Sequence, residues 1–400
     1  MNVIVIVISA IVACTFLFFL AGKIMQWRHG DCNIFPDLEK LQNFEYEKNE
    51  KGLTLAFEVP LVNTGRQHGL IIDLNARLQP KGDIFRYNII SCRVINTGNV
   101  RFDDYWEGLV LKPNKTAVLK ILLSIEGKFK EEDLETFNVD LLMRHYGRGL
   151  MQFKRTQIPL KFADFKRAEK PLTLTSMFEV PDKPLTKETP DDLKSLVKPV
   201  RTHILMPGEK LSDIIKKYIK VDKENIFTIA ESALAIIQSR VYYVDDVNPG
   251  GLAVFLSHFF LPDSSLSSPY SMRKAMDEVG TWRIILAVII GMLGRIVGRS
   301  GDFYRVAGKD ASVIDDCTGT LPPFDKYVVM GPANAQKEME AVKEETGMDA
   351  AVIDANDLHK FDILAQTGDL KKYLAKALEC NPAGNGNEQT PIVLIKKKED

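Results

Sequence analysis

Two acid-bearing stretches and one glycine-rich loop hold the residues whose types and spacing could do chemistry. The stretch VAGKDASVIDDCTGTLPPFDKY (Val306 to Tyr327) sets Asp310, Asp315 and Asp316 among small residues, ahead of Thr318, Gly319 and a Pro-Pro turn. A second group, Asp354 to Asp357, follows the apolar run AAVID, and the loop GNGNEQT spans Gly384 to Thr390. Hard divalent cations such as Mg²⁺ take oxygen ligands, usually one or two carboxylates completed by water and substrate phosphates. Asp310, Asn356 and Asp357 suit that role. The loop presents backbone N–H groups with little side-chain obstruction, as a phosphate cradle requires. Acids after strands are also common turn formers, and Asp315 and Asp316 are read that way, shaping the turn before CTGTLPPF. Two other chemistries fail. GRIVGRSG from Gly294 has its glycines one residue too close for a P-loop, with Arg in place of Lys. Cys317 follows two carboxylates that disfavour a thiolate, and no His is near it in sequence.

The elements that must position these residues alternate strand and helix. LSDIIKKYI repeats apolar residues at i, i+3, i+4, i+7 and i+8, which predicts a helix, and NIFTIAES reads as a strand. FYRVAG is expected to be a strand leading to Asp310. YVVMGP is a strand before the helix NAQKEMEAVKEETG, which Gly347 closes. AAVID, the helix DLKKYLAKALEC and the strand PIVLIK complete the order. Asp310 and the Asp354–Asp357 group therefore fall at the carboxyl ends of strands, where α/β proteins place ligands. SMRKAMDEVGTWRIILAVIIGMLGRIVG reads as helical, and its apolar run Ile284 to Leu293 as a buried core helix too short to span a bilayer.

Upstream, six short alternating runs with regular turns between Leu38 and Phe162 predict an antiparallel, Ig-like β-sandwich over 38–165. Two of its strands end in Asn-Thr-Gly, at Asn63 and Asn96, with a left-handed position available at each glycine. A Lys/Pro/Thr-rich stretch over 166–199 reads as a linker. Val3 to Gly22 carries no charge and is long enough to cross a bilayer, so residues 1–23 are expected to be an uncleaved anchor. Lys23 and Arg28 follow the run and only Asn2 stands between it and Met1, which predicts a single-pass membrane protein with its body in the cytoplasm. The formal net charge of -1 gives no electrostatic case for nucleic acid as a partner. Five scattered cysteines with no CxxC pair argue against a disulfide framework and give no zinc spacing.

The C-terminal region, residues 200–397, resembles a family through MPGEKLSDII, VAGKDAS, MDAAVIDANDL and GNGNEQTPIVLIK, taken in that order. The family is the coenzyme F420:L-glutamate ligases (gamma-glutamyl ligases). The resemblance implies an α+β or α/β ligase-like domain that joins a deazaflavin-cofactor precursor, a small-molecule acid, to L-glutamate. It implies GTP as co-substrate, Mg²⁺ or Mn²⁺ as cofactor, and a homodimer. It also implies Asp310, Asn356, Asp357 and Asn385 as metal ligands, with Ser312, Gly384, Asn385, Gly386, Glu388 and Thr390 toward the nucleotide. The chain departs from the family at five positions, one change being an amide-acid pair at Asn356 and Asp357 in place of an acid-hydroxyl pair. Ala235 and Ile236 replace a phosphate-facing Ser-Lys, and Val313 replaces a nucleotide-contacting Asn. The leading expectation is a membrane-anchored, metal- and nucleotide-dependent amide-bond ligase. The alternative is a non-catalytic ligand-binding or scaffold protein that keeps the fold.

Overall fold

In the computed structural model, which describes residues 3–79, 88–127, 134–181, 187–262, 264–356, 360–384 and 388–397, the elements follow one another in this order. Helix α1 (Val3–His29) precedes strands β1 (Ile34–Pro36), β2 (Gln42–Asn49), β3 (Gly52–Asn63), β4 (Gly69–Gln79), β5 (Asn88–Asn96), β6 (Leu109–Leu111), β7 (Thr116–Gly127), β8 (Thr136–Tyr146), β9 (Gln152–Lys161) and β10 (Lys166–Arg167). Then come α2 (Leu174–Met177), β11 (Val197–Val200), α3 (Leu211–Tyr218), β12 (Asn225–Ala230), α4 (Glu231–Ile237), β13 (Val241–Tyr243) and α5 (Gly250–Ser257). Helices α6 (Pro269–Val279), α7 (Thr281–Ile296) and α8 (Asp302–Ala307) lead to β14 (Tyr327–Val329), α9 (Ala335–Thr346), β15 (Asp349–Asn356), β16 (Lys360–Gln366), α10 (Lys371–Leu378) and β17 (Ile392–Lys396). The chain forms two units, Met1–Pro181 with Pro249–Pro269, and Asp182–Asn248 with Tyr270–Asp400.

The first unit holds two sheets, in the orders β10-β2-β3-β7-β5 (with β1 also on β3) and β6-β4-β8-β9. Their inward side chains meet in one core. Leu53, Leu55, Phe57, Val59 and Leu61 of β3 alternate inward with Leu119, Ile121, Leu123 and Ile125 of β7, against Phe137, Val139, Leu141 and Met143 of β8. Side chains two apart share a face, so this spacing makes one face of each sheet apolar. Strand β4 contributes Ile71 but then Leu74 and Leu78, and the change of parity falls at its register shift between Ile71 and Asp73. The two-sheet architecture is the layering expected of the sequence.

The Asn-Thr-Gly turns work through their asparagines. Neither Gly65 nor Gly98 has positive φ. Instead the Oδ1 of Asn63 accepts from Gly65 N at 2.9 Å, and the Oδ1 of Asn96 from Gly98 N at 3.0 Å. Gly65 is required for close approach, since a Cβ there would lie 2.4 Å from Asn33 N and Asp31 O. Asn63 is fully buried and also accepts from Asn33 N at 3.0 Å, while its Nδ2 donates to Gln67 O and Leu111 O, each at 2.8 Å. Asn63→Ala is therefore expected to cost about 3 kcal/mol or more, because it leaves several buried backbone groups unpaired, and Asn96→Ala only about 1 kcal/mol. Denaturant unfolding of the two variants checks the ranking.

Helix α1 has 27 residues, long and apolar enough to cross a membrane. Near its C-terminal end it meets the segment that holds α5. Phe18 stacks on Phe259 at 5.4 Å and meets Phe255 edge-on, and Gly22 is buried against the Phe255 ring. His29 Nδ1 lies 3.1 Å from His258 O, and the buried Arg148 donates to Ser257 O at 2.9 Å. Residues 249–269, placed by the sequence inside a C-terminal domain, thus pack with the N-terminal unit. The stretch read as a linker is also partly built into folded structure: β10 pairs with β2, and β11 is an edge strand of the second unit.

In the second unit a mixed sheet runs β11-β17-β12-β15-β16, with β12 and β15 parallel. Both of its faces are buried. Phe227, Ile229, Ala350, Val352, Ile392 and Leu394 meet α3, α4 and α9 on one side, and Ile226, Ala351, Ile353, Val393 and Ile395 meet α10 on the other. Gly347 closes α9 in the left-handed conformation, as expected. FYRVAG, expected to be a strand, is instead within and just after helix α8. Phe303 and Ala307 are buried one turn apart on it, and α7 presents Gly291 and Gly294 to it. A Cβ at Gly294 would lie 2.2 Å from Asp302 Oδ2, so the glycines of GMLG admit the neighbouring helix. GRIVGRSG runs from the last turn of α7 through the turn before α8, with Gly298 and Gly301 at positive φ.

Candidate functional site

The parallel strands β12 and β15 pair Ala230 with Ile353. The next residue on each chain is an acid, Glu231 or Asp354. Both line a cavity of about 280 Å³ at the carboxyl ends of these strands. Asp315 is the third carboxylate in its wall, held in place by a backbone bridge in which Asp315 N donates to Val329 O at 2.8 Å and Val329 N to Asp315 O at 3.0 Å. Thr202, Ser232, Gly384 and Thr390 add polar atoms around the rim, and Ile236 adds an apolar wall. Thr390 donates to Ala383 O and Thr202 N donates to Gln389 O at 3.0 Å, which ties the C-terminal loop to the segment before α3. Beside it, His203 is fixed between Tyr218 Oη (2.6 Å) and Glu209 (2.8 Å).

The electrostatics of the cavity are those of crowded acids. Glu231 is only 8% exposed and its Oε2 has no hydrogen-bond partner among the described residues. Burial, then the Asp354 and Asp315 charges, push its carboxyl up to about 9. Asp315 rises to about 7 by burial, with Asp354 and Asp316 adding to it. Asp354 opens to the cavity and is raised by burial and by Asp362, its cross-strand partner on β16. Burial and neighbouring like charge make each of these acids hold its proton to higher pH than a free carboxyl, and a bound cation would compete with that proton. Among the described residues no three acidic, His or Cys side chains already stand close enough to form a finished metal centre. The three acids nonetheless put carboxylate oxygens, the donor type that hard divalent cations take, on one cavity.

The residues singled out in the sequence are distributed differently. Asp310 is exposed on a short 3₁₀ turn outside the cavity, and Ser312, also exposed, donates to Lys309 O at 2.7 Å. Asp315, assigned to a turn, lines the cavity; Asp316 has the structural part, accepting from Ser271 Oγ at 2.8 Å. Gly384 and Thr390 line the cavity, and Glu388 covers Gly384, whose φ of +71° suits glycine. Asp357, Asn385 and Gly386 lie outside the described residues, as does the side chain of Asn356. Val313 packs beneath Gly331. Glu231 was missed, although it follows the strand NIFTIA directly and obeys the strand-end rule that was applied to Asp310.

No family model matches the chain, and no curated protein matches it. Among solved structures, the GAE domain of yeast GGA1 is 14% identical, with a TM-score of 0.20 over 33% of this chain and 92% of that one. The GAE domain of GGA2p from Saccharomyces cerevisiae is 10% identical, with a TM-score of 0.19 over 32% and 96%. A FixG-related protein from Vibrio parahaemolyticus is 7% identical, with a TM-score of 0.16 over 32% and 94%. Likenesses this weak assign neither fold nor function to the chain.

Proposed function

We propose that this is a membrane-anchored protein whose second unit binds a divalent cation and a phosphate-bearing small molecule, and that its chemistry is gamma-glutamyl (amide-bond) ligation driven by GTP. The observation that carries the reading is the meeting of Glu231, Asp315 and Asp354, with raised proton affinity, at the carboxyl ends of two parallel strands. The ordered segments that resemble the gamma-glutamyl ligases supply the reaction type. Mg²⁺ or Mn²⁺ would be held by Asp315 and Asp354 with Glu231 behind them, and when bound it offsets negative charge on a phosphoryl group. Thr202, Ser232 and Thr390 orient polar ligand groups from the rim. Glu231, protonated at neutral pH, holds a proton beside them. In the reaction a substrate carboxylate oxygen bonds to the γ-phosphorus as the bond to GDP breaks. The amine of L-glutamate then displaces phosphate and gives up a proton.

One observation favours a second reading, ligand binding without turnover. Ile236 stands in the cavity wall, and no lysine or arginine is among its described lining residues. Calorimetry of the full chain in detergent with GTP and Mg²⁺ or Mn²⁺, followed by phosphate release with L-glutamate and a panel of carboxylic acids, separates the two. Binding with release supports ligation and binding alone supports the second reading. No binding of metal or nucleotide defeats both. For the anchor, Lys23 and Arg28 after the apolar run support a cytoplasmic body. Protease added outside intact cells is then expected to spare it, and digestion would reverse the orientation.

A further inference from the structure

Helix α7 is buried along one side only. Ile284, Ala287 and Val288 are buried while Leu286 and Leu293 are exposed, which corrects the sequence expectation of a wholly buried core helix. The apolar segment around α5 differs in having a neighbour that sets its surroundings. The sixteen residues 247–262, VNPGGLAVFLSHFFLP, contain no Asp, Glu, Lys or Arg. The segment packs with the N-terminal unit, and Ala253, Leu256, Phe259 and Phe260 are buried. Two of its rings reach back along α1: Phe259 stacks on Phe18, and Phe255 lies 5.4 Å from the ring of Phe18 and 5.2 Å from that of Phe19. Gly22 makes room for them, since a Cβ there would lie 2.0 Å from Phe255 Cε2. Small residues at a crossing allow the same close approach between helices in membranes.

We infer that residues 250–261 form a wedge seated in the bilayer beside α1, at the boundary of headgroups and acyl chains where α1 leads into the folded protein. The length of α1 decides the depth. At 1.5 Å per residue the uncharged run 3–22 is about 30 Å long, the thickness of the hydrocarbon core. A span that ended before Phe18 would measure only about 22 Å and could not cross it. Phe18, Phe19 and Gly22 therefore lie just inside the edge of the hydrocarbon, and the rings of Phe255 and Phe259 that rest on them share that depth. The backbone beside these rings is paired. Ser257 O accepts from Arg148 at 2.9 Å, His258 O lies 3.1 Å from His29 Nδ1, and the N–H groups of Phe259 and Phe260 donate to Leu256 O and Ser257 O. Irregular backbone is tolerated at membrane depth where protein satisfies it in this way. His258, the one ionisable side chain of the segment, is buried with Nδ1 2.7 Å from Val254 O. Leu252 and Leu261, near the two ends, are 37% and 65% exposed, and acyl chains cover them. Helix α5 has eight residues, about 12 Å, too few to span, so the chain enters and leaves on one side.

The inference rests on the proposed anchoring of the chain by α1, and the test keeps the two apart. Full-length Leu261→Trp and Ile89→Trp are reconstituted into phosphatidylcholine vesicles, and flotation reports the anchor. Ile89 is 71% exposed and sits across Glu126 from Gly52, at the end of β3 opposite to Asn63, whose side chain meets the segment after α1. Both substitutions are at exposed side chains, and unchanged circular dichroism checks the fold. Emission is recorded with and without lipid brominated high on the acyl chain, and the wild-type spectrum is subtracted, so that the difference belongs to the added indole. At position 261 it is expected to be blue-shifted and to fall about two-fold or more with brominated lipid, and at position 89 to stay water-like and unquenched. A chain that floats while the indole at position 261 is unquenched overturns the inference and leaves the anchor standing. Water-like emission there would mean a free surface, and unquenched blue emission a protein contact such as a second copy. Equal quenching at position 89 would also overturn it, because the lipid contact would not belong to this segment. A chain that does not float overturns both.

Discussion

Glu231→Gln is expected to make the protein more stable than wild type at alkaline pH and to leave it nearly unchanged in mild acid. The carboxyl of Glu231 stands at about 9 in the folded chain against an ordinary 4.5. A group whose proton is held more tightly in the folded state contributes its full stability below the unfolded value, and loses it as pH rises toward the folded one. Wild type should therefore weaken between roughly pH 4.5 and 9, with Asp315, raised to about 7, adding to the loss over the lower part of that range. Glutamine keeps the shape and has no proton to lose. Each unit of displacement is worth about 1.4 kcal/mol, and relaxation of the cavity absorbs part of it, so a gain of about 2 kcal/mol or more is expected near pH 9. Urea unfolding at a series of pH values measures it. Parallel pH profiles for the two proteins would show that Glu231 is not the buried acid described here.

The second large effect concerns metal binding. Asp354→Asn and Asp315→Asn are each expected to lower Mn²⁺ affinity by at least about 10- to 100-fold, the loss that follows even from changing an outer partner of a metal ligand. Asp310→Asn should leave it unchanged, because that side chain is exposed and outside the cavity. Metal binding near neutral pH should also release protons as Asp315 and Glu231 ionise, which makes the calorimetric heat depend on the buffer. Glu231→Gln should reduce that release. Equal affinity in wild type and Asp354→Asn, or a large loss at Asp310→Asn, would move the site away from this cavity.

These substitutions also mark where the sequence was legible. Elements carried by local periodicity could be read directly: the uncharged run of α1, the two-residue alternation in β3, β7 and β8, the helical face of α3, and α9 with Gly347 at its end. Neighbours along the chain are enough to settle these, since period and capping are short-range properties. The strand-end rule pointed to the end of the second sheet at which the cavity lies, and to Asp354 along with its neighbours. It failed for Asp310, because FYRVAG has too few residues to show its period, and its helix is set by packing of Asp302 and Phe303 on Gly294 and Gly291 of α7.

The sequence by itself thus determined the apolar N-terminal helix, the two kinds of folded region and the pool of acids from which a site could be drawn. Tertiary structure alone decided which acids meet. Asp315 reaches the cavity through a bridge to Val329, and Glu231 and Asp354 become neighbours through the pairing of strands more than a hundred residues apart. It also decided that residues 249–269 pack on α1 and that one side of α7 is left outward. Each of these depends on contacts between distant segments, whose free energy comes from burial against a partner that local sequence does not name.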